Sequence, residues 1–199
     1  MSTEGVNEGR RRFLIGATSA VGAVGAAGAV VPFVKSWQPS AKAKTAGAPV
    51  VADISKLEVG QRMTVEWRGK PVWILRRSEE AMANLKAVEG KLRDPVSAES
   101  NQPEYASGEY RSRDNHEEIV VLVGLCTHLG CSPLYRPEVA PDDLGPDWKG
   151  GFFCPCHGSK FDLSGRVYKA VPAPTNLDVP PYYYISDTVI KIGEDGETA

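Results

Sequence analysis

Apolar positions fall along this chain in two regimes that part near residue 50. From Phe13 to Val34 no residue is charged, and most are Ala, Gly or Val. As one helix this stretch would span ~33 Å at ~1.5 Å per residue, enough for a ~30 Å hydrocarbon core. A transmembrane helix over 13–34 is the expectation. Gly16, Gly22, Gly25 and Gly28 leave it weakly hydrophobic for a solitary span, and small residues such as Gly22 and Ala26 permit close approach of other helices. Residues 35–49 hold Pro39, Ser40, three lysines, Gly47 and several alanines, with little to bury. They read as a hinge or linker.

Beyond residue 50 the apolar runs become short, rich in β-branched and aromatic residues, and bounded by turn formers. Val50–Ile54 reads as a strand, and Arg62–Trp67 with Val72–Arg76 as a hairpin about Arg68-Gly69-Lys70-Pro71. Ser78 followed by Glu79 and Glu80 opens a helix that Gly90 should end. Asp94–Asn115 is polar and reads as a long surface loop. Glu118–Val123 reads as a buried strand and Gly151–Phe153 as a short one, Phe161–Tyr168 as a hairpin about Ser164-Gly165, and Tyr182–Ile185 with Thr188–Ile192 as a closing hairpin. The fold class expected for 50–199 is mainly β, an antiparallel head with one helix. The acidic stretch Tyr135–Lys149 reads as a solvated insertion, and His116 as ordinary surface.

Charge adds an orientation and an exclusion. With 23 Lys+Arg against 25 Asp+Glu and a formal net charge of -2, no basic stripe stands out beyond the N-terminus, so no nucleic-acid partner is expected. Arg10, Arg11 and Arg12 precede the apolar run and place residues 1–12 in the cytoplasm by the positive-inside rule. Ala41-Lys42-Ala43 could pass for a cleavage site, but the apolar cores of signal peptides run ~7–15 residues. A retained anchor is the expectation.

The candidate chemistry sits in two short boxes, Cys126-Thr-His128-Leu-Gly-Cys131 and Cys154-Pro-Cys156-His157-Gly-Ser159. Together they hold all 4 cysteines and two of the 3 histidines. Each supplies one Cys and one His at close spacing plus one further Cys, and each has a glycine, Gly130 or Gly158, where the backbone must turn tightly about a ligand. Two thiolates on one iron and two imidazoles on the other is the ligation of a Rieske-type 2Fe–2S cluster. A structural zinc-binding module could use the same atoms, and two ordinary disulfides would account for the cysteines but leave the histidines idle.

The two boxes, the Arg-Arg-Arg-Phe-Leu run at 10–14, the Pro39-Ser40-Ala41 linker and Val171-Pro172-Ala173-Pro174 resemble the Rieske iron–sulfur subunit of bacterial ubiquinol–cytochrome c oxidoreductases. The Arg10–Leu14 run is similar to a twin-arginine (Tat) export signal. The resemblance implies a head over 50–199 with a small cluster-binding subdomain at about 124–176, and one 2Fe–2S cluster. Its ligands would be Cys126, His128, Cys154 and His157, with Cys131 and Cys156 joined as a disulfide. It also implies cytochrome b and cytochrome c subunits as partners in a complex expected to be dimeric. Ubiquinol would be oxidised with proton release, and one electron passed on by movement of the head. The chain would be a single-pass protein of the bacterial inner membrane with a periplasmic head, acting as a subunit and not catalytic alone. His157 would contact the quinol, with Leu129 and Pro172 forming the docking tip. Ser159 would tune the cluster by a hydrogen bond. Phe161 stands where many relatives carry a hydrogen-bonding tyrosine, and Val171 where they usually carry glycine, which leaves the Pro-loop conformation open. The alternative within the same chemistry is the Rieske subunit of another exported redox enzyme, such as arsenite oxidase.

Overall fold

The computed structural model describes residues 5, 7–45 and 47–196; residues 1–4 and 6 of the N-terminal segment lie outside it, as do the side chains of Lys42 and Lys44. The chain divides into two units, Met1–Thr45 and Ala46–Ala199. In the first, helix α1 runs Glu8–Ser36. The Asn7 side chain caps it by accepting from the Arg10 amide at 3.1 Å, Glu8 lies in its first turn and Lys35 in its last. These charges suit the helix dipole. α1 is long and apolar enough to cross a membrane, and each of its residues is exposed. The segment read as a linker is partly helical. α1 continues through Ser36, and Ala41–Thr45 forms a short helix, α2, because the Ser40 hydroxyl accepts from the Ala43 amide at 3.1 Å.

The second unit is built from three antiparallel sheets of three strands. β1 (Val50–Asp53) lies on β9 (Val189–Ile192), which pairs with β8 (Tyr182–Ser186). β2 (Arg62–Trp67), β3 (Lys70–Arg76) and β4 (Ile119–Val123) form the second sheet. Arg68 and Gly69 join β2 to β3 with φ of 52° and 70°, the two left-handed residues that a tight hairpin of native twist requires. The third sheet is β5 (Leu134–Val139), β6 (Lys149–Cys154) and β7 (Ser159–Phe161). Helix α3 (Glu79–Ala87) starts on the Ser78 hydroxyl, which accepts from the Ala81 amide. A 3-10 turn over Glu89–Lys91 follows it. Trp73 of β3 stacks on Phe152 of β6 at 4.9 Å between centroids, so the second and third sheets share one core.

Two sequence expectations are corrected here. Asp94–Asn115 is not a surface loop: Arg111 and Ala106 are fully buried, and Asp94, Ser97 and Ser112 nearly so. Its polar residues are buried because they carry partners. Arg111 donates to the carbonyls of Leu177 and Ser164 and to Gln102, and Arg77 donates to Tyr110 O and Ser164 Oγ. Burial pushes both guanidinium groups down to about 10, opposed chiefly by the Asp162 carboxylate. Nor is 135–149 merely solvated. It contains β5, its Arg136 is held bidentately by Asp143 at 2.8 Å, and Leu144 and Trp148 fold inward on Val88, Leu92 and Tyr168 as a second apolar cluster. The charges hid an inward-facing edge.

Candidate metal centre

The two boxes build the same turn. In each, a glycine amide donates to the carbonyl of the cysteine four residues earlier, Gly130 to Cys126 and Gly158 to Cys154, both at 2.9 Å. The glycines have φ of 79° and 78°, where an L side chain would be strained. The histidine lies two residues after the cysteine in the first turn and three after it in the second. Strand β4 delivers the first turn by way of Gly124, where a Cβ would sit 2.3 Å from the Trp73 ring. The second turn is the connection of the β6–β7 hairpin, with Cys154 opposite Ser159 in register.

These turns bring like donors together. The Cys126 and Cys154 thiols are free, buried to 3% and 2% exposure, and close enough to interact. Burial pushes the Cys154 thiol up, and the Cys126 contact adds to that. The backbone of Cys156 and His157 acts in the opposite sense. The imidazoles of His128 and His157 meet edge to face, 4.8 Å between centroids. His128 is half-buried and His157 exposed. Cys131 and Cys156 form a disulfide that joins the two turns. The sulfurs of Cys131, Cys154 and Cys156 lie within 4.8 Å of one another, but two of them are committed to that disulfide and have no thiolate to offer. The buried thiol pair and the outer imidazole pair remain as the sulfur and nitrogen donors that could hold a metal group here. That asymmetric donor set fits a two-iron cluster with unlike ends.

A third loop holds the first two. Thr127 Oγ1 donates to Thr175 O at 2.7 Å, and the Ala173 amide donates to Ser159 Oγ at 3.0 Å. Pro172 of this Pro-loop, 171–176, is exposed, as are Leu129 and His157 in the two turns. Val171 is not its left-handed residue; that conformation falls on Ala170, φ 57°, so the absence of glycine at 171 causes no strain there. Phe161 is fully buried in the core cluster and pairs with Phe152. His116 stacks on Tyr184 at 3.9 Å. Sequence reasoning missed Arg93, whose guanidinium donates to the carbonyls of Val171, Ala173 and Pro174. Nothing in the local pattern around a polar Lys-Leu-Arg-Asp run marks it.

Comparison with known proteins agrees with this chemistry. The model of the Rieske [2Fe-2S] domain matches residues 108–182, and that of the ubiquinol–cytochrome c reductase Fe-S subunit TAT signal matches residues 1–40. The ubiquinol–cytochrome c reductase iron–sulfur subunit of Allochromatium vinosum is 60% identical over 199 residues, covering 100% of this chain and 95% of that protein. The subunit of Bradyrhizobium diazoefficiens is 43% identical over 185 residues, covering 92% and 94%. Among solved structures, a chain described as hyperthermophilic respiratory Complex III is 26% identical with a TM-score of 0.48, covering 87% of this chain and 96% of that one. With close likeness running from the export signal through both boxes, this chain belongs to the iron–sulfur subunits of ubiquinol–cytochrome c reductase, electron-transfer subunits that carry a Rieske [2Fe–2S] cluster.

Proposed function

We propose that Cys126 and Cys154 hold the inner iron and His128 and His157 the outer one, and that the outer imidazoles face ubiquinol bound at a cytochrome b subunit. The observation that carries this is the segregation of donors: free thiols at 3% and 2% exposure on one side, and an exposed imidazole on the other. When bound, the cluster supplies one-electron acceptance at a potential raised by its neutral imidazole ligands, about -150 to +300 mV against about -400 mV for plant-type ferredoxins. His157, exposed at the tip, accepts the quinol hydroxyl's hydrogen bond and takes its proton. Leu129, 71% exposed, and Pro172 present an apolar collar that excludes water from that contact. Ser159, buried, receives the Ala173 amide on its oxygen, so its own proton is free to donate to cluster sulfur.

In this reading 1–12 is the cytoplasmic segment bearing the Tat signal, 13–34 spans the inner membrane, and 35–49 is the hinge. The head, 50–199, lies in the periplasm. It passes its electron to a cytochrome c subunit after moving on that hinge, in a dimeric complex. The test is the EPR spectrum of dithionite-reduced membranes with and without a quinol-site inhibitor, for the natural chain and His157→Ala. A reduced Rieske signal that the inhibitor shifts, lost in His157→Ala, is expected together with copurifying b- and c-type haem. A signal that survives His157→Ala would remove that residue from the ligand set.

A further inference from the structure

We propose that Arg93 is a positioning residue for the cluster: by gripping the Pro-loop it aims the Ser159 hydroxyl. This rests on the reading of Ser159 as a donor to cluster sulfur.

The geometry is a relay of three links. Residues 91–93 run beside 167–169, with the Arg93 amide donating to Val167 O at 2.9 Å and the Lys169 amide to Lys91 O at 2.8 Å. From that base the Arg93 guanidinium reaches across and donates to Val171 O at 3.2 Å and to Ala173 O and Pro174 O at 3.1 Å each. Among the described residues Arg93 forms no ion pair, so these carbonyls are what orders it. They bracket the peptide whose amide, Ala173 N–H, donates to Ser159 Oγ. A hydroxyl that accepts along one direction has its proton confined to the remaining ones. The grip therefore fixes where the Ser159 proton points, although Arg93 lies 66 positions earlier in the chain (159 minus 93).

A planar fork is needed for this, because one group must satisfy three carbonyls at fixed angles. Lysine keeps the charge but offers a compact ammonium on a flexible stem. The inference thus separates geometry from charge. The experiment is an EPR-monitored redox titration of the assembled complex in membranes for Arg93→Lys, Arg93→Gln, Ser159→Ala and the double variants, with iron and signal intensity per chain as the measure of cluster content. Arg93→Lys and Arg93→Gln should both lower the equilibrium constant for reduction about threefold, ~28 mV at 59 mV per tenfold. The same changes in the Ser159→Ala background should shift nothing further. A natural midpoint in Arg93→Lys overturns the proposal, as does an Arg93 effect that persists undiminished without the Ser159 hydroxyl. If Arg93→Gln fails to assemble, Arg93→Lys alone decides. Should Ser159→Ala leave the midpoint unchanged, the role of Ser159 falls. Should Ser159→Ala lower it while Arg93→Lys does not, only the grip falls.

Discussion

Removing the Cys131–Cys156 bridge isolates what joins the two ligand turns. Each turn closes on itself through its Gly-to-Cys backbone bond, so Cys131→Ala with Cys156→Ala should leave both native turns formed. The effect then falls on the unfolded chain, which the bridge constrains across a sequence separation of 25 residues. For that separation the chain-entropy relation gives ~3.5 kcal/mol at ~25 °C. With a urea slope of ~2 kcal/mol/M, the unfolding midpoint should fall by ~1.7 M. Tryptophan fluorescence suits the measurement, because Trp67, Trp73 and Trp148 are all buried in the head. The natural protein with its bridge reduced should behave as the double variant does. A midpoint shift below ~0.5 M would refute the reasoning, since it would mean that the unfolded chain holds 131 near 156 without the bridge. A large shift in the slope instead would place the effect on denatured-state compactness.

Four further outcomes are expected. Phe161→Tyr places a hydroxyl in the β7 core beside the site; if it gives a hydrogen bond favouring reduction by ~1 kcal/mol, the midpoint rises ~40 mV in a redox titration. An unchanged or lower value counts against it. Ala170→Gly relieves a left-handed alanine; against a cost of ~1–2 kcal/mol for that conformation and ~0.5–1 for glycine's extra freedom, the gain is ~0.5–1 kcal/mol, read as a melting temperature ~2–3 °C higher. Asp162, 1% exposed, accepts from Arg166 Nε at 2.7 Å and from the amides of Ser164 and Arg166. Asp162→Asn leaves that guanidinium buried without its counter-charge and should cost ~3–5 kcal/mol in urea unfolding. Burial works to raise the Asp94 carboxyl, but its bonds from Ser100, Ala98 and Glu99 outweigh that and hold it below its ordinary 3.8. Its stabilisation is therefore complete above pH ~4 and lost as pH falls through the lower folded value, so acid unfolding of Asp94→Asn should show a shallower dependence below pH ~4 than the natural chain.

What could be read from the sequence divides by range. Most strands, the Ser78 cap and the cluster turns are local, fixed by alternation, capping chemistry and glycine within a few residues, and the strand edges differ from expectation by a residue or two. The hairpin expected over 161–168 is reduced to a single bridge from Phe161 to Val167, with β7 ending at Phe161, and β5 is a strand not expected from the sequence. The type I′ turn at Arg68-Gly69 is narrower than the four-residue turn expected, since Lys70 already pairs with Trp67. The structure departs from the sequence expectation where polar side chains are buried. Arg111 looks like a loop residue until the carbonyls of Ser164 and Leu177 arrive from far along the chain to receive it. The acidic residues of 135–149 likewise masked Trp148, which is 2% exposed and donates its indole N–H to Arg136 O. Hydrogen-bonded burial of polar side chains leaves no periodic trace.

The same division runs through the site. Each ligand turn is specified inside five residues, and this is why two short boxes suffice to recognise the chemistry. The distance and tilt between the turns are set by groups outside them: the Trp73–Phe152 stack beneath, the bridge at the rim, and the Pro-loop tied to Thr127 on one side and Ser159 on the other. In the proposed ligation each turn supplies one donor to each end, so a two-iron group held that way is sensitive to that relative placement. Ligand identity and potential are therefore governed by different residues. Substitution of a proposed ligand, Cys126, His128, Cys154 or His157, should abolish the centre. Substitutions at Arg93 or Ser159 should leave it intact at a changed potential, and a titration at full iron occupancy distinguishes the two classes.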